Sequence, residues 1–478
     1  MAESLKNKTV KGTIWSTLER FSVQGIQFVV MIIMARLLTP EDYGLVGMLA
    51  IFIAVSQSLI DSGFSQALIR KQDRSEVDNS TVFYFNIGVG IVLYFILFFS
   101  APLIADFYKE PQLVPITRAI GLSLVFNSLV VVQRALLTIK LDFKTQAKAS
   151  ATGAIVSGIL GIWMAYSGFG VWAIVWQQLS NLAVITILLW FLSHWKPIWA
   201  YSWKSFKELF GFGSKLLDSG LLDTLYRNLY LIVIGKVFKA SDLGYYTRAH
   251  QFTDFASSNV TGILQRVTYP VLCTIQDDDV RLADVYRRLL KTSAFIVFPL
   301  MMGLAAVARP MILSFLTEKW LFSAVIIEVL CFAQMWYPVH AINLNLLQVK
   351  GRSDLFLRLE IIKKILGVIM LCITLPLGLI PMCWGMILTS IIALIINTHY
   401  TGKLINLGFL AQMRDLLPTL LLSLGVGAAV YFTVSLISIN SWALLSLGVV
   451  EGLILYVGFA KLLRFPEFKE LAGIIRRK

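Results

Sequence analysis

Four segments of this chain place ionisable side chains inside otherwise apolar runs. The first carries Glu19 and Arg20, with Arg20, Gln24 and Gln27 on one helical face at i, i+4 and i+7. The second carries Gln57 and Asp61, four residues apart. The third holds Lys215, Asp218, Asp223 and Arg227. The fourth holds Arg248, followed by His250, Asp254, Ser257 and Thr261 as a stripe at helical spacing. Arg20, Lys215, Arg227 and Arg248 are candidate binding cations for an anionic cargo. Arginine suits phosphate because its planar fork donates two hydrogen bonds at once. Glu19, Asp61, Asp218, Asp223, His250 and Asp254 are candidate sites for a coupling ion or proton. Each group also has a plain structural reading. Arg20 and Lys215 can snorkel to an interface. Asp223 and Arg227 can pair with each other, as can His250 and Asp254. Arg248 can sit at a membrane surface, and Asp61 can cap the loop beginning at Ser62.

The elements that must position these groups are membrane helices. Of 478 residues, 57% are hydrophobic and only 15% charged, with mean hydropathy +0.74. Soluble domains carry about 25% charged residues. Apolar runs close to bilayer length recur from end to end, and only helices or closed barrels satisfy their backbone in lipid. The strict alternation of barrel strands is absent. The pattern predicts an all-α polytopic membrane protein with fourteen spans. Their limits are 13–35, 43–65, 81–101, 114–136, 148–167, 171–193, 212–237, 243–267, 290–312, 322–346, 358–376, 380–400, 416–437 and 441–463. The eighth is the most polar. No cleavable signal peptide is apparent, because the first apolar run is too long for one.

Charge gives the expected orientation. With fourteen spans, 31 Lys and Arg fall on the side of both termini and 6 on the opposite side. The positive-inside rule then puts both termini in the cytoplasm. The net charge of +14 is thereby assigned to a membrane surface facing anionic lipid, and not to nucleic acid.

A short polar turn is written twice. "ARLLTPEDYGL" at 35–45 and "GKVFKASDLGY" at 235–245 share a cation, an Asp and a Gly at an offset of 200: Arg36 with Lys236, Asp42 with Asp242, Gly44 with Gly244. Thr39-Pro40-Glu41-Asp42 reads as an N-cap, a proline at N1 and an acidic N3. Both turns fall outside, six spans apart, which predicts a parallel repeat about an axis along the membrane normal. The expected lobes are 1–210 and 211–412, with 413–478 holding two further helices and a cytoplasmic tail. Under that repeat the four polar helices are pairwise equivalent and would line one central cavity.

Signatures of catalysis are missing. There is no GxxxxGK[ST], no HExxH and no GxSxG. Cys273, Cys331, Cys372 and Cys383 form no CxxC pair and read as packing residues. No cofactor or metal is expected, and the outer loops are too short for a catalytic domain.

The succession "NKTVKGTIWSTLERF", "ARLLTPEDYGLVGM", "DSGFSQALIRKQD", "YPVLCTIQDD" and "TEKW" runs over nearly the whole chain. It resembles the Wzx-type polysaccharide and O-antigen flippases, most nearly their colanic-acid-exporter-like subgroup. These belong to the multidrug/oligosaccharidyl-lipid/polysaccharide exporter superfamily. The resemblance implies two six-helix lobes in a V, alternating access, and undecaprenyl-pyrophosphate-linked oligosaccharide as cargo in a bacterial inner membrane. Implied partners are that lipid-linked glycan, membrane lipids, and polysaccharide polymerase or export machinery. In related peptidoglycan-precursor flippases, arginines of the first and eighth helices line a cationic cavity, and two added helices form a groove for the lipid tail. Arg20 and Arg248 occupy the corresponding helices here, and spans 13 and 14 the added pair. The acidic residues nearby depart from a purely cationic cavity. A cation-coupled drug or metabolite antiporter of the same superfamily, using Asp218, Asp223 and Asp254, is the alternative; a membrane glycan polymerase or ligase is a more distant one.

Overall fold

The computed structural model describes residues 22–476, apart from a few side chains, among them those of Lys215 and Asp218. Among these residues all regular structure is helical. The first helix, α1, is Ser22–Leu37. Then follow α2 (Pro40–Asp61), α3 (Phe64–Arg70), α4 (Glu76–Tyr108), α5 (Leu113–Ser128), α6 (Val131–Ile139), α7 (Phe143–Tyr166), α8 (Val171–Leu192), α9 (Trp203–Val237) and α10 (Ala240–Cys273). The remainder is α11 (Asp279–Ala306), α12 (Ala308–Phe315), α13 (Leu321–Gln334), α14 (Tyr337–Val349), α15 (Ser353–Thr374), α16 (Leu379–Ile405), α17 (Phe409–Leu436), α18 (Ser441–Leu462) and α19 (Pro466–Arg476). Within the described residues, each predicted span meets a helix or a broken pair of helices. Ten helices are long and apolar enough to cross a membrane, so this is a multi-pass membrane protein.

Local sequence explains the boundaries. Thr39 caps α2 by a reciprocal box: its Oγ1 accepts from the Asp42 N–H at 3.3 Å, and Asp42 Oδ2 accepts from the Thr39 N–H at 2.8 Å. Ser75 and Asp78 start α4 the same way. The second span breaks at Ser62 and Gly63, both left-handed at φ 41° and 70°, before α3 resumes. Gly63 also lies against Gly213 of α9, where an added Cβ would come within 2.7 Å of the Gly213 carbonyl oxygen. No side chain fits both that φ and that contact.

The chain forms two compact units, Met1–Gly244 and Tyr245–Lys478. The first has an aromatic core at one end. Phe64 sits among Phe85, Phe206 and Phe210, with Trp195 and Phe83 beside them. Lys71 lies at its edge, 3.3 Å from Asp78 and 3.0 Å from Glu208. Within this unit α9 packs along α2, and Ser58 Oγ meets Thr224 Oγ1 at 3.2 Å.

The second unit packs α17 against α11 and α18 against α17, over a core holding Phe295, Val307, Val430 and Tyr456. Its tightest polar knot is fully buried. Asn343 of α14 and Gln412 of α17 exchange amide hydrogen bonds, each 3.0 Å. Their remaining amide hydrogens go to the Val339 and Leu407 carbonyls, both at 2.9 Å. Thr401 of α16 donates to Asn343 Oδ1 at 2.6 Å. Every donor in the pair is used, which is the condition under which burying an amide costs little.

Candidate functional site

Two of the four polar segments can be followed in detail. Glu19 and Arg20 lie outside the described residues, as do the side chains of Lys215 and Asp218. On α1, Gln24 is half-buried and Gln27 exposed.

On α2, Asp61 takes the capping role. Its Oδ1 accepts from Ser65 Oγ at 2.6 Å, tying the end of α2 to the first turn of α3 across the break. On α9, Arg227 and Asp223 form an i,i+4 pair at 2.7 Å, with side chains 75% and 45% exposed. Such a pair contributes little to the fold, about 0.3–0.5 kcal/mol. Arg227 is the more open of the two to a ligand approaching that face. Thr224 turns instead toward α2, and Asn228 donates to its carbonyl at 2.8 Å.

On α10 the predicted stripe does not behave as one surface. Ser257 is buried and donates to the Gln334 carbonyl at 2.9 Å, and Thr261, also buried, donates to the Ser257 carbonyl at 2.8 Å. Asp254 is exposed and accepts from Ser258 Oγ at 3.4 Å. The His250 ring lies 5.8 Å from that of Tyr246. The physical reason is that spacing fixes direction around a helix but not what packs there. Ser257 meets the end of α13 at Gln334, while Asp254, one turn earlier, is exposed. Arg248 is half-buried, and its Nη1 donates to Gln251 Oε1 at 2.6 Å. Arg248 is thus braced by a neutral side chain one turn along α10.

Sequence reasoning passed over several polar groups. Glu451, midway along apolar α18, accepts from Thr433 of α17 at 2.9 Å. Glu328 is half-buried in α13. His340 meets Ser390 at 3.0 Å and Asn397 at 3.2 Å. A lone Glu inside "LLSLGVVEGLILYV" was the available signal, since an intramembrane carboxyl always needs a partner.

Outside the spans, Glu110 follows α4. Burial, and then the nearby Glu41 carboxylate, push its carboxyl above the usual range. Because the folded chain holds this proton more tightly than the unfolded one, its contribution favours folding at low pH and is lost as pH rises through the raised value. Glu110→Gln is therefore expected to raise the thermal midpoint in detergent at neutral pH. The gain should shrink toward about pH 4. A midpoint equal to wild type across that range would refute the assignment.

Comparison with known proteins places this arrangement. The chain is 26% identical over 477 residues to the teichuronic acid biosynthesis protein TuaB of Bacillus subtilis, covering 98% of each. It is 25% identical over 365 residues to the lipopolysaccharide biosynthesis protein WzxC of Escherichia coli, covering 76% of this chain and 74% of that one. Among solved structures, a lipid II flippase MurJ in an inward closed conformation superposes with TM-score 0.77 at 15% identity, covering 96% of this chain and 100% of that one. An inward-facing MATE-family multidrug transporter of the MOP superfamily gives 0.61 at 14% identity, covering 79% and 95%. The fold is theirs, in agreement with the sequence resemblance. Residues 33–325 match the family model described as polysaccharide biosynthesis protein, and the chain belongs to that family.

Proposed function

We propose that this chain is a flippase. It carries undecaprenyl-pyrophosphate-linked oligosaccharide from the cytoplasmic to the outer leaflet of a bacterial inner membrane by alternating access, with both termini cytoplasmic. The observation that carries the reading is the end-to-end likeness to a teichuronic acid biosynthesis protein, on a fold shared with a lipid II flippase. The charge asymmetry supports the orientation. Arg227 and Arg248 support an anionic cargo, to which Arg20 of the first span and Lys215 of the seventh add charge. Such cations offset the desolvation of a pyrophosphate, which otherwise costs several kcal/mol per ion. The exposed carboxylates Asp223 and Asp254 are the groups available to a coupling ion. The lobes are 1–210 and 211–412, and the lipid tail stays in the bilayer or along the helices of 413–478. No bond is made or broken, so no nucleophile or cofactor is called for.

Deleting the gene in its native host tests this directly. The lipid-linked oligosaccharide should accumulate on the cytoplasmic leaflet, and surface polysaccharide should disappear. Normal surface glycan together with increased drug sensitivity would overturn the proposal in favour of an antiporter.

A further inference from the structure

Residues 193–202 join α8 to α9 without a helix, yet their course is fixed. Trp195 is buried against Phe83, and its Nε1 donates to Glu76 Oε2 at 2.6 Å. The Ile198 N–H donates to Ser80 Oγ and the Ser202 N–H to Thr81 Oγ1, both at 3.0 Å. Ser80 and Thr81 are fully buried in the opening turns of α4. A connection whose backbone donors are tied to a neighbouring helix behaves as a strap rather than a loose loop.

What this strap turns outward does not suit water. Trp199 is 97% exposed, although its ring stacks on that of Tyr84 at 5.9 Å. Ile198, Tyr201 and Trp203 are exposed as well. Lys196, Lys204 and Lys207 stand exposed among them, and the Lys207 ammonium lies 5.8 Å from the centre of the Trp203 ring. Glu208, the one acidic residue from 193 to 212, is held by Lys71 at 3.0 Å. The three ammonium groups therefore have no free carboxylate within the stretch. The strap leaves the end of α8 and runs along the start of α4, and both helices are long and apolar enough to cross a membrane. It lies where the hydrocarbon ends, the zone that Trp and Tyr favour and where lysines meet lipid headgroups.

We propose that residues 195–207 form a saturable binding site for anionic phospholipid. The indoles enter the headgroup boundary, and Lys196, Lys204 and Lys207 meet the lipid phosphate. The orientation proposed above makes this the cytoplasmic leaflet; the site itself depends on neither that orientation nor the cargo. A soluble anion would use the charges alone, whereas exposed indoles beside them call for a ligand with acyl chains as well as phosphate. Because the strap is already ordered, binding it costs the protein little conformational freedom.

The test is the thermal midpoint of the purified full chain in neutral detergent, titrated with dioleoylphosphatidylglycerol, since a ligand of the folded state raises it. The midpoint should climb to a plateau, and phosphatidylcholine should raise it much less. Lys196→Gln, Lys204→Gln and Lys207→Gln together should increase the lipid fraction needed for half the rise by about tenfold or more. Trp199→Ala should increase it by about threefold or more. Lys140→Gln, Lys148→Gln and Lys461→Gln together remove equal charge from exposed lysines elsewhere, and should titrate as wild type. A control triple that weakens binding as much as the strap triple overturns the site in favour of total charge. Phosphatidylcholine or inorganic phosphate that matches phosphatidylglycerol overturns it too. Should the strap triple not stay folded in detergent, Trp199→Ala decides alone: weaker binding upholds the site and unchanged binding overturns it.

Discussion

Cells whose only copy carries Arg248→Glu are expected to lose surface polysaccharide while keeping normal amounts of the protein in the membrane. Arg248 is half-buried on α10 and hydrogen-bonds a neutral side chain, Gln251. Losing that bond costs about 0.5–1.5 kcal/mol, a fraction of the stability of a folded chain. Transport has a different exposure to the change. A pyrophosphate facing a carboxylate in a site of reduced dielectric loses several kcal/mol. Since about 1.4 kcal/mol is a factor of ten, export should fall by about a hundredfold or more. Arg227→Glu should act likewise, but it also sets two carboxylates at i,i+4 with Asp223. The exchange Asp223→Arg with Arg227→Asp separates the two effects. It restores the pair and displaces the cation, so export should stay low if Arg227 meets cargo. Wild-type glycan output from both Arg248→Glu and Arg227→Glu would leave the cationic site without support.

The largest loss of stability is expected at the amide knot of the second unit. Asn343→Leu removes both reciprocal bonds to Gln412 and the acceptor of Thr401. It leaves the carbonyl and one hydrogen of Gln412 buried and unmade, and each such orphan costs about 1–3 kcal/mol. The total is expected near 3–5 kcal/mol, measured as a lowered thermal midpoint in detergent. Asn343→Leu with Gln412→Leu should cost less than the two single changes added, because neither amide is then stranded. Asp415→Asn offers the contrast. It weakens a bidentate bond to Arg287, at 2.7 Å in both arms, but that arginine is 44% exposed. Asp415 itself is 6% exposed and also faces Lys291 at 3.5 Å, so the cost should lie above the ~1 kcal/mol of an open surface pair and below that of the amide knot. Strict additivity of the two leucine changes would show that the amides do not act as a unit.

Much of the fold could be read from the residues, because the bilayer narrows the choices to helices of one length. The capping box at Thr39 and Asp42 was legible for the same kind of reason: the chemistry is local. The interruptions of the spans were not. Breaks at Leu129, Val307 and Trp336 lie inside apolar sequence, where hydropathy runs on unchanged while the backbone turns. The ninth and tenth spans are each two helices for this reason. On α10 the stripe from His250 to Thr261 had the right period, yet neighbours decided that Ser257 is buried and Asp254 exposed. The knot was hidden for a stronger reason: Asn343 and Gln412 stand 69 residues apart, and nothing local marks them as partners. In the candidate site, residue types pointed to anion and ion chemistry, but which side chains are accessible depended on packing. The likeness of the two turns was plain in the text of the chain.

The amide pair also bears on how such a chain can change its length. Gln412 belongs to α17 and exchanges two hydrogen bonds with the buried amide of Asn343. A shortened descendant lacking Phe409–Leu436 would strand Asn343, and selection would have to replace it with an aliphatic residue first. The terminal pair is consequently no detachable accessory. Its gain or loss is coupled to a single inherited position seventy residues upstream, roughly, and that position should covary with the presence of the pair.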